Sequence, residues 1–133
     1  GSYVVPSSVT GIENRAFSDC RNLTSVAIGD NVTSLGTGAF YNCTNLATVT
    51  VGIGVANIGD RAFYRGLNLN GVYFKGDAPS IGSYVFGATV TVYYLPGATG
   101  WGATFGGRPT ALWLPQIQSA DPSFGVRTMT APS

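Results

Sequence analysis

Short stretches in which apolar and polar residues alternate recur along the chain. Val49-Thr50-Val51 alternates in this way with β-branched residues, as expected for a short strand with one buried face. A second apolar group, Val32-Thr33-Ser34-Leu35, follows a turn at Gly29-Asp30-Asn31. Two glycines then break the chain before Ala39-Phe40. The pattern predicts a coil made of three short sides separated by turns.

The coil repeats with a period of 23 residues. A fixed period of this size indicates stacked units, each of which buries its apolar residues against its neighbours. Equivalent strands should therefore pair in parallel at roughly 4.8 Å, so that equivalent side chains form ladders. One such ladder is predicted to be an internal column of phenylalanines at the equivalent positions Phe17, Phe40, Phe63 and Phe86.

Both ends of the repeat array depart from this register. Tyr3-Val4-Val5 occupies the positions of Val26-Ala27-Ile28 one period earlier, which predicts a partial first rung and a longer parent protein. The fourth copy is shortened before Val90. The predicted domains are a cloning scar at residues 1–2, an array of the partial rung and about four further rungs at 3–95, an aromatic and glycine-rich C-terminal cap at 96–115, and a linker or the start of a next module at 116–133.

The repeated pattern AFxxCxxLxxVxI, followed by VTSLG, resembles the BspA-like class of leucine-rich repeat over residues 3 to about 95. The Ala-Phe pair, the cysteine and the strand leucine recur together in two full copies, and Gly66 replaces the cysteine in the third. The predicted fold class is a mainly β repeat solenoid, namely a leucine-rich-repeat right-handed coil with parallel strands, 23-residue rungs and short helical or 3-10 turns. The resemblance implies a bacterial cell-surface or secreted module that binds proteins of other cells.

Composition narrows the functions open to such a coil. Of the 133 residues, 44% are hydrophobic and 10% are charged, which excludes a disordered chain. The net charge of +1, without a basic cluster, does not favour nucleic acid as a partner. The chain has no histidine, so the usual general base and imidazole ligand are missing and we expect no enzyme, cofactor or metal site. No apolar run approaches the ~20 residues of a membrane-spanning helix.

The cysteines and carboxylates are predicted to be structurally ordinary. Cys20 and Cys43 lie one rung apart, so their Cα atoms should be about 5 Å apart, within the range of a disulfide. Stacked side chains point the same way, however, which favours free stacked thiols over a bridge. The carboxylates are scattered, and we expect solvated surface groups rather than an acid/base pair or a calcium site at Glu13, Asp19, Asp30, Asp60, Asp77 and Asp121.

The side chains that point out of the predicted strands form the candidate site. Strand alternation directs Ala27, Thr50, Tyr73 and Tyr93 away from the internal ladders. Early rungs present small side chains, whereas later rungs combine tyrosines with Lys75, which suits contact with a protein or a sugar. Two tyrosines on a strand face can also reflect β propensity alone. The predicted binding residues are Thr48, Thr50, Tyr73, Lys75, Thr91 and Tyr93.

The sequence therefore predicts one of two functions. The first is a non-catalytic protein-binding or adhesion module of a larger cell-surface or secreted bacterial protein, with a protein, or alternatively a carbohydrate, as its ligand on another cell or matrix. The second is a structural spacer or stalk without a ligand of its own. In either case, an uncapped first rung would leave Tyr3 to Val5 as a parallel edge through which the chain could self-associate.

Overall fold

The structure is a computed structural model that describes residues 1–87 and 89–114. In these two ranges the chain forms ten strands. Their bounds are β1 Ser2–Val4, β2 Ser25–Ile28, β3 Ser34–Leu35, β4 Thr48–Val51, β5 Asn57–Ile58, β6 Gly71–Phe74, β7 Ser80–Ile81, β8 Thr91–Tyr94, β9 Thr104–Phe105 and β10 Arg108–Leu112.

The strands form two sheets on different sides of one coil. The larger sheet has the order β1-β2-β4-β6-β8-β10-β9, and the smaller has the order β3-β5-β7. All pairings are parallel except that of β9 with β10. Val26 pairs with Val49 and Val49 with Val72, so each step equals one 23-residue period, which confirms the predicted solenoid.

Strand alternation decides which side chains enter the core. In β2 and β4 the inward residues Val26, Ile28, Val49 and Val51 are buried, while their neighbours Ala27 and Thr50 are partly exposed. The strands are short because each supplies only two core side chains before the chain must turn. The core is consequently a stack of thin layers, one for each rung.

The predicted phenylalanine column is confirmed. Ring centroids are 5.0 Å apart from Phe17 to Phe40, 5.3 Å from Phe40 to Phe63 and 5.8 Å from Phe63 to Phe86. Neighbouring rings lie within 8° of parallel. The ring spacing follows the spacing of the paired strands, because each ring is carried at the same place in its rung.

The turns beside this column have the hydrogen-bond spacing of the predicted 3-10 turns and form no continuous helix. In the first rung Ala16 N donates to Glu13 O and Ser18 N donates to Arg15 O, both over 3.1 Å. These bonds have the 3-10 spacing, but Arg15 and Asp19 have φ values of 59° and 62° and interrupt the right-handed conformation. The described residues therefore form single turns in this part of the coil instead of a helix.

Residues 96–114 add a strand as well as aromatic side chains. β10 pairs in parallel with β8 and in antiparallel with β9, so the larger sheet continues past residue 95, where the predicted array ended. The Phe105 ring lies 5.5 Å from that of Phe74 and 6.2 Å from that of Phe86. Trp101 lies 5.0 Å from Phe74, and its indole Nε1 donates to Gly76 O over 3.2 Å. The predicted linker at 116–133 lies outside the described residues.

At the other end of the array, β1 pairs with β2 in the predicted register, with Tyr3 opposite Val26. Ser2, which was predicted to belong to a cloning scar, is part of this strand, and its hydroxyl accepts a hydrogen bond from Ser25 Oγ over 3.0 Å. Tyr3 covers one side of Phe17, with ring centroids 5.6 Å apart.

Candidate functional site

The outward side of the larger sheet, which we call the sheet face, carries one side chain from each of its inner rungs in a single row. Ala27, Thr50, Tyr73 and Tyr93 are paired in sequence across β2, β4, β6 and β8, as predicted. β10 extends the row to Ala111. The row therefore changes from small to aromatic and back to small along the sheet.

Two tyrosines and a tryptophan form an aromatic cluster on this face. The rings of Tyr73 and Tyr93 stack with centroids 4.5 Å apart and planes 5° apart. The Trp113 ring meets Tyr73 edge-on at 5.3 Å and 63°. Trp113 N donates to Tyr94 O over 2.8 Å, which continues the parallel pairing of β10 and fixes where the indole lies. The three rings form an apolar platform with polar tips.

Glycine makes room for this platform. A Cβ atom at Gly71 would lie 2.8 Å from Tyr73 Cε1 and 3.0 Å from its hydroxyl, so the Tyr73 ring lies across Gly71. Burial, and to a smaller extent the neighbouring Tyr93, raises the pKa of Tyr73 above its ordinary value of 10.0. Tyr73 is therefore neutral at physiological pH and presents a hydroxyl rather than a charge.

The predicted polar residues are less closely associated. Thr48, Gly71 and Thr91 are register partners, so Gly71 and the overlying Tyr73 ring separate the two threonines. Lys75 lies beyond the end of β6, and its Nζ is 3.9 Å from Asp30 Oδ1 on an earlier rung. Both side chains of this ion pair are well exposed, so the pair contributes little to stability. The ion pair places the positive charge of Lys75, which was predicted for the binding face, beside the negative charge of Asp30.

Sequence reasoning missed Trp113 as a member of the site. The prediction placed this residue in the cap, because it lies beyond the last copy of the repeat. Its signal was the apolar run Ala111-Leu112-Trp113, in which alternation places Ala111 and Trp113 on the same side. Ala111 pairs with Tyr93, only 18 residues earlier, so the 23-residue period did not align this run.

Three of the carboxylates serve the coil itself and were predicted only as surface groups. Asp30 Oδ1 accepts a hydrogen bond from Ile53 N over 3.0 Å, and Asp60 Oδ1 accepts one from Ser83 N over 2.8 Å. Asp77 Oδ1 accepts one from Thr99 N, also over 2.8 Å. Each bond joins a turn to the next one, where the backbone N–H would otherwise lack a partner in the coil.

The two cysteines differ in burial. Both are free thiols in the structure, with Cys43 fully buried and Cys20 partly exposed. Cys43 Sγ donates to Phe17 O over 3.0 Å. Burial raises the pKa of the Cys43 thiol to about 11, so it stays protonated at neutral pH and is a poor nucleophile.

Groups that could bind a metal are likewise dispersed over the described residues. In that part of the chain, no three His, Cys, Asp or Glu side chains come together in a way that could hold an ion. The same residues contain no helix of the length and apolarity required to cross a bilayer.

Comparison with known proteins places the repeats in a described group. The sequence profile of the family described as "BspA type Leucine rich repeat region (6 copies)" matches residues 2–95. No curated protein matches the chain. Among solved structures, the crystal structure of a T. pallidum leucine-rich repeat protein is similar with a TM-score of 0.57 and 23% sequence identity, covering 69% of this chain and 57% of that one. At that identity the similarity shows the fold alone.

Proposed function

The chain belongs to the BspA-type leucine-rich repeat family, and from that premise we propose that it is a non-catalytic protein-binding module that engages its partner through the sheet face. Leucine-rich repeat domains generally mediate protein interactions and are generally non-catalytic. Repeats of the BspA type are typically found on bacterial surfaces. We therefore place the module in a cell-surface or secreted bacterial protein, with its ligand on another cell or matrix.

The aromatic cluster of Tyr73, Tyr93 and Trp113 carries this proposal. Tyrosine and tryptophan are enriched among the residues that dominate binding energy, because they bury a large area at a low cost in side-chain entropy. Here the rings are already ordered, with Tyr73 and Tyr93 stacked at 4.5 Å, so little further freedom is lost on binding. Neutral phenols and an indole favour a partner that offers apolar side chains with hydrogen-bonding groups nearby.

The size of the sheet face limits the affinity of a single module. Seven strands about 4.8 Å apart span roughly 29 Å, and each four-residue strand is about 13 Å long. The resulting area is roughly 380 Å², about half of the ~800 Å² that each partner buries in a standard interface. Strong attachment should therefore require several modules acting together.

Replacement of the cluster tests the proposal. In a Tyr73→Ala/Tyr93→Ala variant, binding of the protein to intact cells and to immobilised matrix proteins should fall at least about tenfold, since two central aromatic contacts are removed. Tyr41→Ala is the matched control, because Tyr41 is a half-buried tyrosine that stacks on another tyrosine in a different part of the coil. Saturable binding that is lost only in the double variant supports the sheet face.

Unchanged binding in the double variant would reject the sheet face and favour the second function, a spacer or stalk. The small side chains of Ala27 and Thr50 on the early rungs favour that alternative, because they offer little contact area. Loss of binding to matrix glycans, with binding to matrix proteins retained, would identify carbohydrate as the ligand of the same rings.

We also propose that the chain self-associates through β1. Within the described residues this strand pairs with β2 alone, and Tyr3 and Val4 are 40% and 70% exposed. An exposed, apolar strand edge is a template for pairing with another chain. The average molar mass should therefore rise with concentration in light scattering, and Val4→Lys should suppress the rise. A constant mass for the unmodified chain would disprove this.

A further inference from the structure

A second set of aromatic residues lies in the turns that carry the phenylalanine column. Tyr41 and Tyr64 each follow a column phenylalanine directly, and their rings stack with centroids 6.2 Å apart. Tyr84 meets Tyr64 edge-on at 6.3 Å. Arg15 Cζ lies 5.8 Å from the centre of the Tyr41 ring, and Arg61 Cζ lies 5.2 Å from that of Tyr84. On this part of the surface, three tyrosines therefore form a row with an arginine beside each end of it.

The arginines of this region lack carboxylate partners within the described residues. The two ion pairs found there involve Arg21 and Lys75 instead. Arg65 Nε donates to Asn42 Oδ1 over 3.4 Å, and Arg108 Nε donates to Val90 O over 2.9 Å. Each of these bonds uses one of the five N–H donors of a guanidinium, so both groups retain donors for an anion.

A groove lies between these two arginines, where the last full rung meets the β9–β10 hairpin. It has a volume of about 500 Å³, and its apolar lining includes Leu67, Phe86 and the Tyr64 ring. Leu67 is 64% exposed. The hairpin turn forms one wall of the groove, since Gly106 lines it. Gly106 has a φ of 59°, and it lies so close to Phe86 that a Cβ atom at Gly106 would be 2.9 Å from Phe86 Cδ2. A side chain at Gly106 would disturb this contact.

We propose that this groove binds an acidic peptide segment in which an apolar side chain lies between carboxylates. The apolar side chain contacts Leu67 and the Tyr64 ring, and the carboxylates pair with Arg65 and Arg108. None of the described residues that line the groove is acidic, and Arg65 and Arg108 are basic, so its charge is complementary to an anion. A sugar fits less well, since Tyr64 supplies the single side-chain hydroxyl among the lining residues that the structure describes. This surface is distinct from the sheet face and does not depend on the function proposed for it.

Synthetic polymers test the proposal with the full 133-residue chain. The probe is a random Glu-Tyr copolymer, which combines carboxylates with apolar rings, and binding is measured by fluorescence anisotropy at about 0.15 M salt. Polyglutamate, a Lys-Tyr copolymer and heparin serve as comparisons. The Glu-Tyr copolymer should bind at least about tenfold more tightly than any of the three, because it alone satisfies both features of the groove.

Substitutions locate the binding. Arg65→Gln and Leu67→Asn should each weaken binding of the Glu-Tyr copolymer about fivefold to tenfold, and both positions are exposed enough for the chain to keep its fold. Arg15→Gln is the matched control, because Arg15, like Arg65, is an exposed arginine at positive φ but does not line the groove. The Tyr73→Ala/Tyr93→Ala variant should bind the copolymer normally, which separates this site from the sheet face.

Several outcomes would overturn the proposal. Equal affinity for polyglutamate and the Glu-Tyr copolymer would indicate attraction by charge alone. Tighter binding of heparin, lost with Arg65→Gln, would indicate a site for acidic polysaccharide. An equal loss with Arg15→Gln would place the binding outside the groove.

Discussion

The two ends of the coil differ in how the phenylalanine column is covered. Phe86, the last ring, is only 7% exposed because Phe105 packs on it and the β9–β10 hairpin follows. Phe17, the first ring, is half-buried and is contacted by Tyr3 from one side. The larger sheet likewise ends in an antiparallel strand at β9 but in a parallel strand at β1.

This contrast separates the two requirements for ending a solenoid. The apolar column must be covered by side chains, and the parallel hydrogen-bonding pattern must be stopped. Trp101 and Phe105 meet the first requirement and β9 meets the second. We propose that residues 96–114 act as the C-terminal cap on these grounds, whereas β1 supplies one ring, Tyr3, beside Phe17 and pairs in parallel.

The largest predicted effect distinguishes an interior ring from an end ring. Phe63→Ala should lower the free energy of unfolding by about 3 to 5 kcal/mol, because Phe63 is fully buried between two other rings. Phe17→Ala should cost roughly half as much, because Phe17 has a column neighbour on one side only. Urea denaturation of both variants measures the difference. Equal losses would show that the first rung is as well covered as the interior.

The next effect concerns the proposed cap. Phe105→Ala should cost about 2 to 3 kcal/mol, since a partly buried ring that touches Phe74, Phe86 and Trp101 is removed. Thr104→Ala is the control, because the neighbouring side chain is exposed. The variant should also show increased hydrogen exchange in β8 before β2. A decrease in the free energy of unfolding of less than about 0.5 kcal/mol would contradict the proposal that these residues act as a cap.

A smaller effect tests the close contact between rungs. Glu13, Gly36, Gly59 and Gly82 are equivalent positions. A Cβ at Gly59 would lie 2.6 Å from Thr37 N of the preceding rung. On the first rung the equivalent position already carries a side chain, that of Glu13. Gly59→Ala should therefore cost about 1 to 2 kcal/mol through displaced backbone, and Glu13→Ala should be nearly neutral. Thermal unfolding of the two variants compares them, and a neutral Gly59→Ala would contradict the close approach.

The smallest predicted effect is a difference in thiol reactivity between Cys20 and Cys43, which is measured without changing the stability of the protein. At pH 8.5 iodoacetamide should label Cys20 readily, while Cys43 should react only after unfolding, because Cys43 is fully buried. Mass spectrometry of proteolytic fragments assigns the labelled residue. Similar labelling rates at both sites would show that the first two rungs open freely.

The raised pKa of Cys43 also predicts a dependence of stability on pH. The folded-state pKa of about 11 lies above the ordinary value of 9.0, so the folded protein binds more protons between these values. The stabilisation is therefore complete below pH 9 and is lost as the pH rises toward 11. Cys43→Ala should reduce the slope of unfolding free energy against pH in this interval. An unchanged slope would exclude Cys43 as its source.

The repeat array could be predicted from sequence because each structural position is repeated in it. Four phenylalanines at equal spacing determine the column, and strand alternation places Tyr73 and Tyr93 outward. Residues 96–114 have no equivalent elsewhere in the chain, so neither β10 nor the contact of Trp113 with Tyr73 was found. The cluster is formed by a residue distant in sequence, which a period cannot identify.

The roles of polar residues were harder to predict for a different reason. Asp30, Asp60 and Asp77 do not occupy equivalent positions, yet each accepts a hydrogen bond from a neighbouring turn. Their role depends on the direction of one N–H group in each turn, which composition does not specify. In the first rung Arg15 and Asp19 adopt positive φ, a conformation that arginine seldom adopts, so the 3-10 turn there does not extend into a longer helix.

The equal register of the rungs has a consequence for how such a gene can change. Unequal recombination that duplicates or deletes one whole repeat leaves every ladder intact and only alters how many strands the array contains. A single-codon insertion inside β4 would instead turn Val51 outward and a polar neighbour inward. The fourth copy shows where shortening is tolerated: Val72 pairs with Val92, 20 residues on, while Phe63 and Phe86 remain 23 apart. Evolution can thus change the length of the array in steps of one repeat without changing how side chains pack within each rung.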